Sequence, residues 1–521
     1  MITRRGVLVG AAALPTLLHA APAAPVVATR RGRIRGRSES GLFVFRGIRY
    51  GTAERFRAPK PPRPSRDAVD ALEFGPSAPQ RGERYSPQSE DCLFLNVWTP
   101  ELAPGSPASS RAPRAGLPVM VYFHGGAYST GSVVDPLNDG RHLAAGENVV
   151  VVTVNHRLNA LGYLYLARLD PRFPDSGNAG QLDLILALQW IRDNIARFGG
   201  DPSRVLVFGQ SGGGAKIATL MGMPAAKNLF HRAITMSGQQ VTASGPLNAT
   251  ARARAYLGAL GVSSAHELLA LPAERLVEGL TATDPILGGG VYMGPVLDIK
   301  WLSRHPFWPD SNPQSNSIPM ILGNTRDETR AFIDPESEKV RSLGWDNLAE
   351  RLAPELRVDI HPEWVVAQYR GQFPDWSPER IFYAATTAGR SWPGQVIEAD
   401  LRAQAGAPTW VYQLDFQSPT QPRRGAPHTM DIALAFGTLD AEGSYTGTGP
   451  AARSLSGTMM KAFSALARTG DPNAAGVPAW PIHALPARPT MVFDVASRAV
   501  DDPRRWEREL FARVPYIQPG S

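Results

Sequence analysis

The chain has 521 residues, 43% hydrophobic and 19% charged, an ordinary composition for a soluble globular protein with a sizeable core. Its 50 glycines and 47 prolines predict many long loops, while aromatic and β-branched residues spread throughout exclude general disorder. The formal charge of +7 comes mostly from scattered arginines without interleaved aromatics, which argues against nucleic acid as a partner.

Met1-Ile2-Thr3-Arg4-Arg5 precedes an apolar run to about Leu18 and an A-x-A-like site at Ala21-Pro22-Ala23. This order predicts a signal peptide over residues 1–24, with the paired arginines of a twin-arginine signal, and export from a bacterial cytoplasm. No other segment approaches the ~18 uninterrupted apolar residues of a membrane span, so no stable membrane insertion is expected. Val26–Ser38 and Leu42–Tyr50 read as short antiparallel strands, and the arginines from Arg30 to Arg37 fall on a solvated face. Cys92, the only cysteine, excludes an internal disulfide and reads as buried packing within Cys92-Leu93-Phe94-Leu95.

Between about 92 and 240 the pattern becomes regular. Strands are predicted at Leu93–Trp98, Val119–Phe123, Val149–Val154, Val205–Phe208 and Ala233–Met236, with an amphipathic helix over Leu182–Phe198. Alternating strands and helices indicate an α/β sheet. Residues 240–400 read as helical insertion and lid material, interrupted or closed by strands at Ile318–Leu322 and Trp410–Phe416. The expected organisation is a single domain over 25–521.

Gly209-Gln210-Ser211-Gly212-Gly213 follows one of these strands and opens a helix. This G-x-S-x-G arrangement turns sharply and lifts the serine hydroxyl above the sheet edge. A serine nucleophile needs a histidine base, and the base needs a carboxylate. Downstream, His428 is the histidine that lies in a polar loop between a strong strand and an apolar helix; His361 and His483 read as surface or packing residues. The strand Ile318–Leu322 leads to adjacent carboxylates, Asp327 and Glu328, which spacing alone does not separate. Ahead of Ser211, His124-Gly125-Gly126-Ala127 resembles the loop that presents oxyanion-hole amides, here Gly126 and Ala127 with Gly212. His124 is expected to pack behind that loop. Gly209 to Lys216 fails as a phosphate loop, because Ala215 intrudes before the lysine and Ile217 replaces the required hydroxyl residue. Metal-ligand spacings are missing, and the chemistry requires no cofactor.

These motifs together resemble the type-B carboxylesterase family, which includes bacterial p-nitrobenzyl esterases, cholinesterases and neuroligins. Gly47-Ile48-Arg49-Tyr50-Gly51, Ser89-Glu90-Asp91-Cys92-Leu93-Phe94-Leu95-Asn96-Val97, Gly200-Asp201-Pro202 and Thr469-Gly470-Asp471-Pro472-Asn473 carry the resemblance across nearly the whole mature chain. It implies an α/β-hydrolase fold: a large, mostly parallel central sheet flanked by helices, a small N-terminal antiparallel sheet and helical lid insertions. It also implies Glu328 as the acid with Asp327 as its neighbour, supports His428, and places Ser237 as a supporting hydroxyl. Gln210 stands where cholinesterases carry glutamate, and Ala331 where they carry an aromatic residue, which weakens quaternary-ammonium binding. Tyr128, Ala331 and Phe332 are the expected pocket residues. The implied activity is hydrolysis of a small-molecule carboxylic ester through a Ser-His-Glu triad. An amide, carbamate or lactone would use the same triad, and a neuroligin-like binding protein would have lost it. Oligomeric state is left open.

Overall fold

The computed structural model describes residues 24–103, 116–390 and 392–520. The signal segment expected over 1–24 lies, apart from Ala24, outside the described residues. Fourteen strands are described: β1 (Val26–Thr29), β2 (Gly32–Arg35), β3 (Arg37–Glu39), β4 (Leu42–Arg49), β5 (Val69–Asp70), β6 (Phe94–Thr99) and β7 (Leu117–Phe123), then β8 (Val150–Val154), β9 (Gly200–Gln210), β10 (Arg232–Met236), β11 (Met320–Thr325), β12 (Thr409–Leu414), β13 (Pro489–Phe493) and β14 (Arg498–Asp501).

Eleven of them form one sheet in the order β14-β13-β12-β11-β10-β9-β7-β8-β6-β4-β3. From β8 through β7, β9, β10, β11 and β12 to β13 every pairing is parallel, and antiparallel strands finish both ends. The small sheet is the antiparallel hairpin β1–β2, with β5 added in parallel. Arg33 and Arg35 face outward while Ile34 is buried, the solvated face expected of that arginine run. The hairpin β3–β4 joins the large sheet through β6 rather than the small one. Leu42, Val44, Phe45 and Ile48 of β4 are buried, so this strand needs cover that a two-stranded ribbon cannot supply.

Parallel strands are apolar on both faces because helices cover both. In β7, Val119, Val121 and Phe123 enter the core on one side, and Met120 and Tyr122 enter the core on the other. The first core receives helices Ala179–Asn194 and Gly212–Met221; the second receives Met430–Phe436 and Pro450–Thr469. Helices Pro362–Gln372, Pro378–Arg390 and Arg505–Phe511 gather around a separate apolar cluster that includes Leu348, Tyr369 and Phe382. Cys92 is free and fully buried. The carboxyl ends of β7, β9, β10, β11 and β12 all open toward one rim, where the loops bearing the expected site residues begin.

Candidate active site

Strand β9 ends at Gln210 and helix Gly212–Met221 starts two residues later, leaving Ser211 as the hinge with φ 55° and ψ −124°. A residue with a Cβ rarely adopts this conformation, which costs about 1–3 kcal/mol and persists only where neighbours enforce it. Here Ser211 N donates to Met236 O (2.7 Å) and Ala215 N donates to Ser211 O (3.0 Å). A methyl group on Gly212 would collide with the Ala127 carbonyl, and one on Gly213 with the Phe123 carbonyl. Glycine at both positions therefore lets the elbow sit directly against the loop after β7.

That loop turns through Gly126 (φ 86°) and Ala127 (φ 52°). The amides of Gly126, Ala127 and Gly212 donate to no acceptor among the described residues. All three line a cleft of about 570 Å³ that also holds Ser211 and His428. His124 lies behind the loop, fully buried, with Nδ1 at 2.9 Å from Gly125 O and its ring stacked on His156 at 4.6 Å. Burial and the nearby Lys216 amine pull the His124 imidazole down to about 3, so it is neutral at ordinary pH.

The short turn Glu328–Ala331 follows β11 and directs Glu328 inward. Glu328 is fully buried, and both its oxygens are bonded. Oε1 accepts from Thr325 N (2.8 Å), Asn324 Nδ2 (3.1 Å) and Ser237 Oγ (2.5 Å), and Oε2 meets His428 Nδ1. Burial raises its pKa, but His428, the Ser237 hydroxyl and the Thr325 amide outweigh burial and leave it below the usual glutamate value. Asp327 points elsewhere: its Oδ2 accepts from Ala426 N (3.0 Å) and ties the acid turn to the loop that carries His428. The two carboxylates that spacing could not separate thus occupy different places.

His428 leaves the loop after β12 just before helix Met430–Phe436. Its Nε2 stands 3.0 Å from Gln210 Nε2. An amide nitrogen only donates, so Nε2 accepts and the ring proton sits on Nδ1, facing Glu328. Ser211 Oγ forms no hydrogen bond among the described residues. Gln210 therefore occupies the acceptor nitrogen of His428.

Phe332 lies against the His428 ring at 4.8 Å and lines the cleft. Tyr128 also lines it, buried, with its hydroxyl donating to Gln240 Oε1 (2.7 Å). Ala331 does not line the cleft; it ends the turn between Glu328 and Phe332. His361 is exposed ahead of helix Pro362–Gln372, and buried His483 sits beside Asp400 at 3.4 Å, away from the cleft.

The profile described as the carboxylesterase family matches residues 23–502. The chain belongs to the carboxylesterase family. It is 33% identical over 509 residues to a para-nitrobenzyl esterase of Bacillus subtilis (strain 168), covering 93% of this chain and 98% of that protein. It is 32% identical over 497 residues to a phenmedipham hydrolase of Pseudarthrobacter oxydans, covering 88% of this chain and 92% of that one. Among solved structures, a Geobacillus stearothermophilus carboxylesterase matches with a TM-score of 0.82 and 34% identity over 93% of this chain and 99% of that chain. This carboxylesterase is thus a serine carboxylic-ester hydrolase with the α/β-hydrolase fold.

Several groups around its cleft escaped the sequence. Lys216, on helix Gly212–Met221, is fully buried, and its Nζ donates to Ala127 O (2.8 Å) and His124 O (3.2 Å), the carbonyls of the loop after β7. Burial pulls this amine down to about 7. Asp431, one helical turn beyond His428, accepts from Tyr412 OH (2.8 Å) and is pushed up to about 6, first by burial and then by the Glu328 charge. Tyr292, Arg357, Arg390 and Tyr516 complete the cleft wall. Among the described residues no helix is long and apolar enough to cross a membrane.

Proposed function

We propose that Ser211 is the nucleophile of this carboxylesterase, His428 its general base and acid, and Glu328 the carboxylate that fixes the His428 tautomer. The observation that carries this reading is a single cleft holding Ser211, a histidine bonded to a buried carboxylate, and three unpaired amides. An ester carbonyl enters with its oxygen toward the Gly126, Ala127 and Gly212 amides. His428 Nε2 exchanges the Gln210 amide for Ser211 Oγ and takes its proton as Oγ attacks the carbonyl carbon. The three N–H groups stabilise the charge that develops on oxygen. His428 then protonates the departing alcohol, and a water deprotonated at the same Nε2 releases the acid and frees Ser211. Ser237, Gln210 and Asp327 are positioning residues: Ser237 holds Glu328, Gln210 holds His428 before substrate binds, and Asp327 anchors the His428 loop.

Residues 25–521 act as one domain, and 1–24 serve as a signal peptide that directs the enzyme out of the cytoplasm. Replacement of Arg4 and Arg5 by lysine retains activity in the cytoplasmic fraction if a twin-arginine signal operates, and export that is unaltered argues against it. For the catalytic assignment, Ser211→Ala is expected to remain folded, to lose nearly all p-nitrophenyl acetate turnover and to resist labelling by an organophosphonate. Turnover at the wild-type rate removes Ser211 from the mechanism.

A further inference from the structure

Among the described residues, the wall of the active-site cleft contains two arginines and no aspartate or glutamate. Arg357 forms no ion pair and no hydrogen bond among the described residues. Its guanidinium stands close enough to Tyr292 and Tyr516 to ease the ionisation of both phenols against burial, which still pushes Tyr292 up to about 12. Arg390 is only partly compensated. Its Nη1 lies 3.5 Å from Glu355 Oε2, while the other oxygen of the same carboxylate takes Lys339 Nζ at 2.5 Å. The Arg390 guanidinium also lies 5.0 Å from the centre of the Phe332 ring, whose own centre is 4.8 Å from that of His428. One of the two cations is therefore a single ring away from the catalytic base.

Beyond Glu355, no carboxylate among the described residues forms an ion pair with either arginine. At the position beside the nucleophile stands Gln210, a neutral amide. Glu398, behind Gln240, gives one oxygen to Gln240 N (2.6 Å), and burial raises it to about 8, so it is largely uncharged at neutral pH. Burial and repulsion from Arg357 pull Arg390 down to about 10, which leaves it charged. Two cations on the wall of a partly desolvated cleft repel a cationic substrate and attract an anionic one.

We propose that this cleft selects esters that carry a carboxylate of their own, such as half-esters of dicarboxylic acids, with Arg357 and Arg390 as specificity-determining residues. The inference rests on the assignment of Ser211 as an esterolytic nucleophile. The free carboxylate pairs with Arg357 or Arg390 while the ester carbonyl lies over Ser211. Hydrolysis breaks only the acyl C–O bond, adds one water, and releases an alcohol and a second carboxylic acid group.

Two substrate pairs of similar length test it by pH-stat at pH 7.5 and low salt. Monoethyl adipate against ethyl hexanoate places the charge on the acyl side, and 4-acetoxybutanoate against butyl acetate places it on the alcohol side. The anionic member of at least one pair is expected to exceed its neutral partner by about tenfold in kcat/KM, a preference that shrinks as salt screens it. Arg357→Gln or Arg390→Gln should reduce that ratio, and Arg357→Lys should restore much of it. The ratio of two substrates on one enzyme preparation is insensitive to partial misfolding. Neutral esters matching or exceeding their anionic partners in both pairs, or a ratio unaltered in both glutamine variants, would overturn the proposal. Turnover of p-nitrophenyl acetate tests the esterolytic assignment separately. Were that turnover absent, calorimetric titration with adipate would still decide: binding that weakens in Arg357→Gln supports the cationic cleft, and no binding to the wild-type protein overturns it.

Discussion

Lys216→Met separates what a buried amine does for the active site from what it costs the fold. Lys216 is fully buried with no carboxylate beside it among the described residues, and its Nζ donates to the carbonyls of His124 and Ala127. Burial lowers its pKa from 10.5 to about 7. That shift corresponds to about 5 kcal/mol against the charged form in the folded state. The sign follows from proton binding. Below about pH 7 both states hold the proton and the folded state bears the whole cost; between about 7 and 10.5 only the unfolded state holds it, so stability rises with pH. A methionine of similar length does not titrate. Relative to wild type, Lys216→Met should therefore be favoured by about 3 kcal/mol more at pH 6 than at pH 9, because about 1.4 kcal/mol is recovered per pH unit above 7. Two buried carbonyls lose their donor in the variant, an offset independent of pH. Released carbonyls also let the amides of the same loop drift, so kcat for p-nitrophenyl acetate should fall roughly 10- to 100-fold, somewhat less than deletion of an oxyanion donor. Urea unfolding of both proteins at pH 6, 7.5 and 9 gives the first quantity, and initial rates give the second. Parallel stability profiles would refute the buried-amine argument, and unchanged kcat would refute the role in loop support.

Other substitutions probe the groups around His428. Glu328→Gln keeps the shape but cannot fix the Nδ1 proton, and kcat should drop by roughly 10³–10⁴ with little change in KM; a loss confined to KM contradicts that role. Gln210→Glu sets a carboxylate 3 Å-scale distant from His428 Nε2, where Gln210 Nε2 now lies at 3.0 Å. A charge so placed favours the imidazolium, so the acidic limb of the pH–kcat/KM profile should move about one unit upward; a static limb is the adverse result. Asp431→Asn should stabilise the protein increasingly as pH rises from about 3.8 to 6 and by a constant amount above that, because burial raises this carboxyl to about 6. A raised folded-state pKa lends stability below the unfolded value near 3.8 and loses it as pH rises through 6. Thermal melting at pH 4.5 and 8 reads the difference, and an equal gain at both pH values counts against it.

The legible parts of the fold were those written in local chain chemistry. The elbow at Ser211 was legible because a strand, a glycine-flanked turn and a helix are adjacent in sequence, and a sharp turn needs those small residues. The place of His428 in the loop ahead of an apolar helix was legible because few histidines follow a strong strand and precede such a helix. Strand positions were readable where both faces are buried, as in β7 and β8, since apolar runs leave little choice. Strands β13 and β14 were not foreseen. The first begins with Pro489 and has only five residues, and the second is largely exposed, so neither offers a period or an apolar run long enough to detect. Strand β9 also starts earlier than its apolar run, because Gly200 pairs with Leu117 across an irregularity in register.

Electrostatic character was the part least accessible to the sequence, because it depends on which charges lack partners. A net charge of +7 gives no hint that arginines at 357 and 390 share a cleft with a serine at 211. Most other arginines are neutralised by carboxylates close in space, such as Arg157 by Asp183 (2.6 Å) and Arg252 by Asp284 (2.7 Å). Arg357 combines the absence of any such carboxylate among the described residues with a place on the cleft wall, a conjunction that no motif encodes. Lys216 makes the same point from the opposite direction. Motif logic correctly rejects it as a phosphate-loop lysine, since Ala215 and Ile217 flank it. Its contacts are carbonyls 92 and 89 positions upstream, so only the packing of helix Gly212–Met221 against the loop after β7 gives that amine a task.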